Sequence, residues 1–249
     1  MNESGARALA EGDLETADAR LSVALEYSPH FVEALVNLGL VEVARGNFAR
    51  ARTLLQRARR LNPDVAQPHH ALGILAERER RPDQASQHYR EALAVDPGFF
   101  AARANLGRLL FDAGLFEDAR LTFKKLSEVA PDAAVGHAGL AESLIRLGRV
   151  AEAERVIDAA SKRFPDDGAL CLLRARSALR QGQPERARAL LLPLSEARNE
   201  LTPRALSWLA VVELSLGHRS EAEKLARRSL LLDPEDGLAR HVLLGTRLE

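Results

Sequence analysis

The chain has 249 residues, long for one compact core unless its units pack only on their neighbours. Hydrophobic residues make up 46% and charged residues 28%, as in a folded protein, while only 4% aromatics leave the packing to Leu and Ala. Lys plus Arg number 35 and Asp plus Glu 35, a balance that excludes the positive field on which nucleic-acid or anionic-membrane binding relies.

The chain opens Met1-Asn2-Glu3-Ser4 and continues into an acidic, polar helix. That opening has neither a basic region nor an apolar one, which predicts no signal peptide. No run of about 18 apolar residues follows, which predicts no membrane span. A cytoplasmic location is the resulting expectation, with the periplasm the alternative if a leader has been cut away. Lysine occurs only at Lys124, Lys125, Lys162 and Lys224, an arginine-heavy usage that fits a GC-rich bacterial genome. Cys171 is the single cysteine, so no intrachain disulfide forms.

Three residue columns run the length of the chain. Alanine recurs at Ala17, Ala51, Ala85, Ala119, Ala153, Ala187 and Ala222, in steps of 34 with one final step of 35. A glycine precedes it by five positions at Gly12, Gly46, Gly114, Gly148, Gly182 and Gly217, with Arg80 the exception. A proline follows twelve positions later at Pro29, Pro63, Pro97, Pro131, Pro165 and Pro234, and the sixth unit departs with Asn199 in register and Pro203 late.

Each column has a physical reason. The apolar spacing on both sides of the glycine is helical, so the glycine marks a sharp turn from a helix A into a helix B. The proline ends helix B because it has no N–H to donate. The alanine marks the closest approach of the two helices, where a larger side chain would force them apart. Pro82 and Pro184 suit the first position of helix B. Pro193 lies inside the sixth helix B, and Asn199-Glu200-Leu201-Thr202 absorbs the extra residue, so a kink, either a hinge or a tolerated irregularity, is expected there.

This pattern resembles the tetratricopeptide repeat, carried by Leu38-Gly39, Leu72-Gly73 and Leu106-Gly107, the aromatics Tyr89 and Phe123, and the alanine and proline columns. Later units hold Ala141, Ala175 and Ala210 in place of the glycine. The resemblance covers essentially the whole chain. It implies an all-α, right-handed superhelical solenoid of helix-turn-helix units in a single domain, 1–249. The repeats fall at about 1–31, 32–65, 66–99, 100–133, 134–167, 168–202 and 203–236, with a capping helix in 237–249 that runs from about Leu238 to Leu248.

No catalytic constellation accompanies the repeats. A Ser-His-Asp elbow, a phosphate-cradling glycine loop and an HExxH pattern are missing, so no catalytic residue, cofactor or metal is expected. His69 and His70 point about 100° apart on a helix and cannot chelate together. Cys171 falls between helices, where it behaves as a small hydrophobe.

By resemblance, helix A of each unit lines a concave groove. Its candidates are Asn37, His70, Asn105, Arg108, Arg146, Leu172, Arg176, Arg180, Arg204 and Trp208. Asn37 and Asn105 occupy the position where related repeats hold a peptide backbone, a task suited to an amide that donates and accepts. Arg108–Asp112 and Glu142–Arg146 are i,i+4 pairs, whereas Arg176, Arg180 and Arg204 have no acidic partner at helical spacing. With Leu172, Leu173, Leu179, Trp208 and Val211 they read either as an exposed hot spot or as helix-A packing.

A chaperone C-terminal tail is not expected as the partner. The clamp positions around Asn37 hold Asn2, Ala6, Gln67 and Ala71, and those around Asn105 hold His70, Ile74, Val135 and Gly139. The leading expectation is a non-catalytic scaffold or adaptor for a protein or peptide bearing acidic and apolar residues. A structural assembly factor similar to the repeat-only pilotins of type IV pilus secretins is the alternative. A regulatory subunit, an enzyme and a nucleic-acid binder rank below these.

Overall fold

A residue in the left-handed region, glycine in every case but one, closes each described helical hairpin. Gly12, Gly46, Gly114, Gly148, Gly182 and Gly217 have φ between 70° and 84°, and Arg80 adopts φ 59° in the one unit that lacks glycine. The geometry is a Schellman close: Gly46 N–H reaches Val43 C=O at 3.1 Å and Asn47 N–H reaches Glu42 C=O at 2.8 Å. Arg80 and Arg81 repeat it on Glu77 and Ala76, both at 2.9 Å, so the turn survives without glycine and the backbone carries the strain.

The computed structural model describes residues 1–245, all helix or short connection, with no strand among them. The chain divides into two compact units, Met1–Ala130 and Pro131–Glu249. The first holds α1 (Asn2–Ala10), α2 (Leu14–Tyr27), α3 (Val32–Ala44), α4 (Phe48–Leu61), α5 (Ala66–Arg78), α6 (Pro82–Val95), α7 (Phe100–Asp112) and α8 (Phe116–Val129). The second holds α9 (Ala134–Arg146), α10 (Val150–Arg163), α11 (Gly168–Arg180), α12 (Pro184–Glu196), α13 (Thr202–Ser215), α14 (Arg219–Leu232) and α15 (Gly237–Leu243). Within each unit, helices pair as hairpins in chain order, and odd-numbered A helices also touch the next A helix, as in α3 with α5 and α9 with α11. That is the helical-repeat solenoid class.

The seven alanines of the column are fully buried. The Leu-Gly glycines explain themselves in the same way: a Cβ at Gly39 would lie 2.5 Å from Leu55 Cδ2, and one at Gly107 would lie 2.8 Å from the Phe123 ring. The ring of Tyr89 fills the corresponding notch at Gly73. Pro82 and Pro184 open α6 and α12 as expected. Asp13, Asp167 and Asp236 cap α2, α11 and α15 through their carboxylates.

In the sixth unit the helical hydrogen-bonded segment persists past its internal proline. α12 continues through Pro193 to Glu196, and the extra residue is absorbed in a short connection where Arg198 has φ 50°. Asn199 Oδ1 accepts from Leu201 N–H and the Thr202 hydroxyl accepts from Asn199 N–H, both at 2.9 Å, which pins that connection. The boundary between the two units lies at Ala130/Pro131, not at this irregular unit. The expected final helix runs Gly237–Leu243 and is capped at Leu244, so it stops short of the expected end near Leu248, a residue that itself lies outside the described residues.

Arg80→Gly should raise the unfolding free energy by about 1 kcal/mol, because glycine reaches that φ without a Cβ penalty. Gly114→Ala, with open space around its Cβ and φ 77°, should lower it by a similar amount. Urea unfolding of both variants checks the pair.

Candidate functional site

The candidate residues lie on A helices of both units, and each unit has its own cluster. In the first unit, Asn37 on α3 is half-buried and its Nδ2–H donates to Asn2 Oδ1 on α1 at 3.1 Å. Asn105 on α7 donates through Nδ2 to His70 Nε2 on α5 at 3.1 Å and to the Tyr89 hydroxyl at 3.5 Å. Each asparagine therefore bonds to the same face of the preceding A helix. Among the described residues neither asparagine Oδ1 receives a hydrogen bond, so both carry a lone acceptor.

Around Asn105 the chemistry is tightly arranged. The His70 ring lies 5.2 Å from Phe99 in an edge contact and 5.7 Å from Tyr89. Burial lowers the His70 pKa, and the nearby Glu77 carboxylate opposes that shift. The Tyr89 hydroxyl donates to Glu77 Oε1 at 2.5 Å, and burial together with Glu77 pushes its pKa well above the phenolic range. Tyr89 is therefore a fixed donor. Arg108, half-exposed, bridges Glu77 and Asp112, the latter at 3.1 Å as the i,i+4 spacing predicts.

The second unit corrects the expectation of unpaired arginines. Arg176 on α11 reaches Glu142 on α9 at 3.4 Å, and Arg204 on α13 reaches the same Oε1 at 3.3 Å. Arg180 pairs with Glu154 at 3.7 Å. These partners sit on other helices, 34 residues away for Arg176 and 62 for Arg204, which a search at i,i+4 cannot find. The exposed-leucine expectation also fails: Leu172 is 5% exposed, Leu173 3% and Val211 8%, because they fill the core between hairpins. Packing wins for them.

What remains outward is smaller and more polar. Trp208 on α13 is half-buried, and the Arg176 guanidinium stacks over it at 5.0 Å, a cation–π contact. Burial lowers the Arg176 pKa, with Glu142 acting against the shift and Arg204 with it. The Arg204 side chain is 56% exposed, Arg180 is half-exposed, and Arg146 is exposed in the last turn of α9. Two guanidiniums thus share one carboxylate, and the cluster keeps a positive excess.

Sequence reasoning missed two features. A concavity of ≈ 760 Å³ opens where the sixth unit is irregular, bounded by Arg198, Asn199, Thr202, Arg228, Leu231 and Leu232. Its only sequence signal is the disturbed proline register. Glu42 and Glu213 are buried at 0% and 2%, and are held by Arg50 with Asn47 and by Arg188 with His218 respectively. They occupy equivalent helix-A positions and tie each A helix to the start or middle of a B helix. Cys171 is half-buried, its thiol faces Pro165 C=O at 3.4 Å, and burial pushes its pKa up, which keeps it protonated. No described helix is long and apolar enough to cross a membrane.

Family models described as "Tetratricopeptide repeat" match residues 31–97, 76–142, 138–191 and 172–237, so that together they cover most of the chain. Over 100 residues the chain is 32% identical to the type IV pilus assembly protein PilF of Pseudomonas aeruginosa, a match covering 40% of this chain and 38% of that protein. Over 156 residues it is 30% identical to cellulose synthase operon protein C of Xanthomonas axonopodis pv. citri, covering 59% of this chain and 10% of the relative. The chain thus spans well under half the length of these relatives. Among solved structures, one from the functional characterization of Pseudomonas aeruginosa PilF superposes with a TM-score of 0.70 at 20% identity, covering 86% of this chain and 97% of that one. A thermophilic TPR protein of Thermus thermophilus gives 0.60 at 26% identity, covering 72% of this chain and 100% of that one.

Leu172→Ala should destabilise the protein by about 2–5 kcal/mol, the cost of a core cavity, measured by urea unfolding. His70 gives a pH signature of defined sign. The unfolded imidazole protonates near about 6.5 and the folded one only at lower pH, so stability is lost as pH falls below about 6.5. His70→Gln should flatten the fall in urea midpoint between about pH 7.5 and 5.5; an unchanged slope would contradict this assignment.

Proposed function

The chain belongs to the tetratricopeptide-repeat family, and we propose that it is a non-catalytic interaction scaffold that holds a peptide or partner-protein segment against its A helices. One observation carries this reading. Arg176 and Arg204 converge on the single Glu142 carboxylate beside the half-exposed Trp208 ring, which leaves a guanidinium able to accept a partner carboxylate next to an apolar face. The segment that fits carries acidic and apolar side chains together. Asn37 and Asn105 support a related role in the first unit, since each free Oδ1 can accept a backbone N–H from an extended chain.

Arg204 is the cleaner test, because Arg176 is tied into Trp208 and Glu142 whereas the Arg204 head group is largely in water. Selection from a random peptide library should enrich segments with both Asp or Glu and a large apolar residue. Arg204→Glu should weaken the selected peptides at least tenfold while leaving thermal stability within about 1 kcal/mol. Unchanged affinity, or no acidic enrichment, rejects the reading.

A second reading rests on the likeness to PilF: the chain serves as an assembly factor for a larger bacterial envelope machine. Affinity capture followed by mass spectrometry separates the two. Recovery of secretin or pilus subunits favours assembly, and recovery of unrelated partners through the Arg204 cluster favours the general scaffold.

A further inference from the structure

Along the sequence His69 has His70 for company, and helix geometry keeps those two rings apart. Folding gives His69 different neighbours. It lies on α5 facing α6, where His88 and Glu91 stand one turn apart on the same side. His69 Nδ1 is 3.1 Å from Glu91 Oε2, and His88 Nδ1 is 2.9 Å from the same oxygen. All three ligand atoms lie within 4.8 Å of one another.

We propose that His69, His88 and Glu91 form a binding site for a divalent transition-metal ion, Zn²⁺ foremost, that ties the two helices of the third repeat together. Tetrahedral Zn²⁺ with nitrogen and oxygen ligands at about 2.0–2.2 Å places those ligands about 3.3–3.6 Å apart. The observed His–Glu separations of 2.9 and 3.1 Å need to widen by only a few tenths of an ångström, and the two Nδ1 atoms, within 4.8 Å of each other, need to settle in the same range, adjustments within the reach of side-chain rotation. Two imidazoles and one carboxylate are the donor set of a borderline ion; Mg²⁺ and Ca²⁺ ask for six or more oxygens.

The surroundings suit a site. Gln87 Nε2–H donates to Glu91 Oε1 at 3.0 Å, which fixes the carboxylate while leaving Oε2 turned to the two rings. The side chains are 13%, 22% and 32% exposed for His69, His88 and Glu91, so an ion can enter from solvent into a held geometry. Each imidazole would coordinate through Nδ1 and carry its proton on Nε2. Three protein ligands leave the fourth tetrahedral position to water or to a side chain brought by a partner.

The test uses tag-free full-length protein stripped with a chelator and titrated with Zn²⁺ at neutral pH. One saturable equivalent should bind, the melting temperature should rise with free Zn²⁺, and Co²⁺ should give the visible absorption of a tetrahedral nitrogen–oxygen site. His69→Ala, His88→Ala and Glu91→Gln should each weaken binding at least tenfold and remove the thermal shift, with far-UV circular dichroism confirming the helical fold. His30→Ala, a surface histidine on another repeat, should leave binding unchanged. No saturable binding by the wild-type protein overturns the proposal without recourse to any variant, as does binding that survives all three substitutions. Either failure leaves the peptide-binding reading intact, since that reading uses neither His69, His88 nor Glu91.

Discussion

The distance between the two helices of each hairpin governs what every other residue in the unit can do. A fully buried alanine in helix B sets that distance in all seven hairpins, from Ala17 to Ala222. A second contact, between helix A and helix B sixteen residues later, obeys a volume rule. Gly39, Gly73 and Gly107 face Leu55, Tyr89 and Phe123, while at the same register Ala141 shares a core cluster with Ile157 and Ala175 with Leu191. The last described hairpin departs from the rule, with the fully buried Ala210 and Ala226 at these positions. A small residue on one side admits a large one on the other, and close packing penalises any mismatch.

That packing contact also builds the first unit's polar cluster. The Tyr89 ring fills the notch at Gly73, which aims its hydroxyl at Glu77 Oε1 and within reach of Asn105 Nδ2. Glu77 in turn anchors Arg108, and Asn105 orients His70. The glycine is therefore a positioning element for side chains that never touch it. In the second unit Leu172, Leu173 and Val211 are buried, Trp208 packs against the cluster that holds Leu172 and Val211, and Arg176 stacks over the Trp208 ring.

The fold was legible because its constraints are local and periodic. A left-handed turn asks for glycine, a helix end tolerates proline and a close crossing asks for alanine, so three columns at a spacing of 34 state the hairpin stack outright. Arg80 shows that the turn is dictated by the hairpin and not by glycine alone, since it adopts φ 59° in the same hydrogen-bonded close. The positions of Asn37, Asn105, Arg204 and Trp208 on A helices were equally legible. Their partners were not. Reading charges at i,i+4 finds Arg108–Asp112 but misses Glu142 with Arg176, and reading His69 against His70 misses His88 and Glu91.

The missed pairs share a geometry that the repeat itself supplies. Adjacent A helices place equivalent residues side by side, so polar partners fall about one repeat apart: Asn2 with Asn37 at 35 residues, His70 with Asn105 at 35, Glu142 with Arg176 at 34 and Glu77 with Arg108 at 31. In a stack of this kind a charge is neutralised along the stack as well as along its own helix. The local surface charge then depends on what each ladder leaves over. In the second unit Glu142 serves Arg176 and Arg204 at once, 3.4 and 3.3 Å away, and the surplus cation lies beside an aromatic ring. Of the two guanidiniums, Arg176 is partly desolvated and Arg204 is left exposed. An imbalance of one acid against two bases, set by the stacking of α9, α11 and α13, thus gives a chain of zero formal net charge a local excess of positive charge.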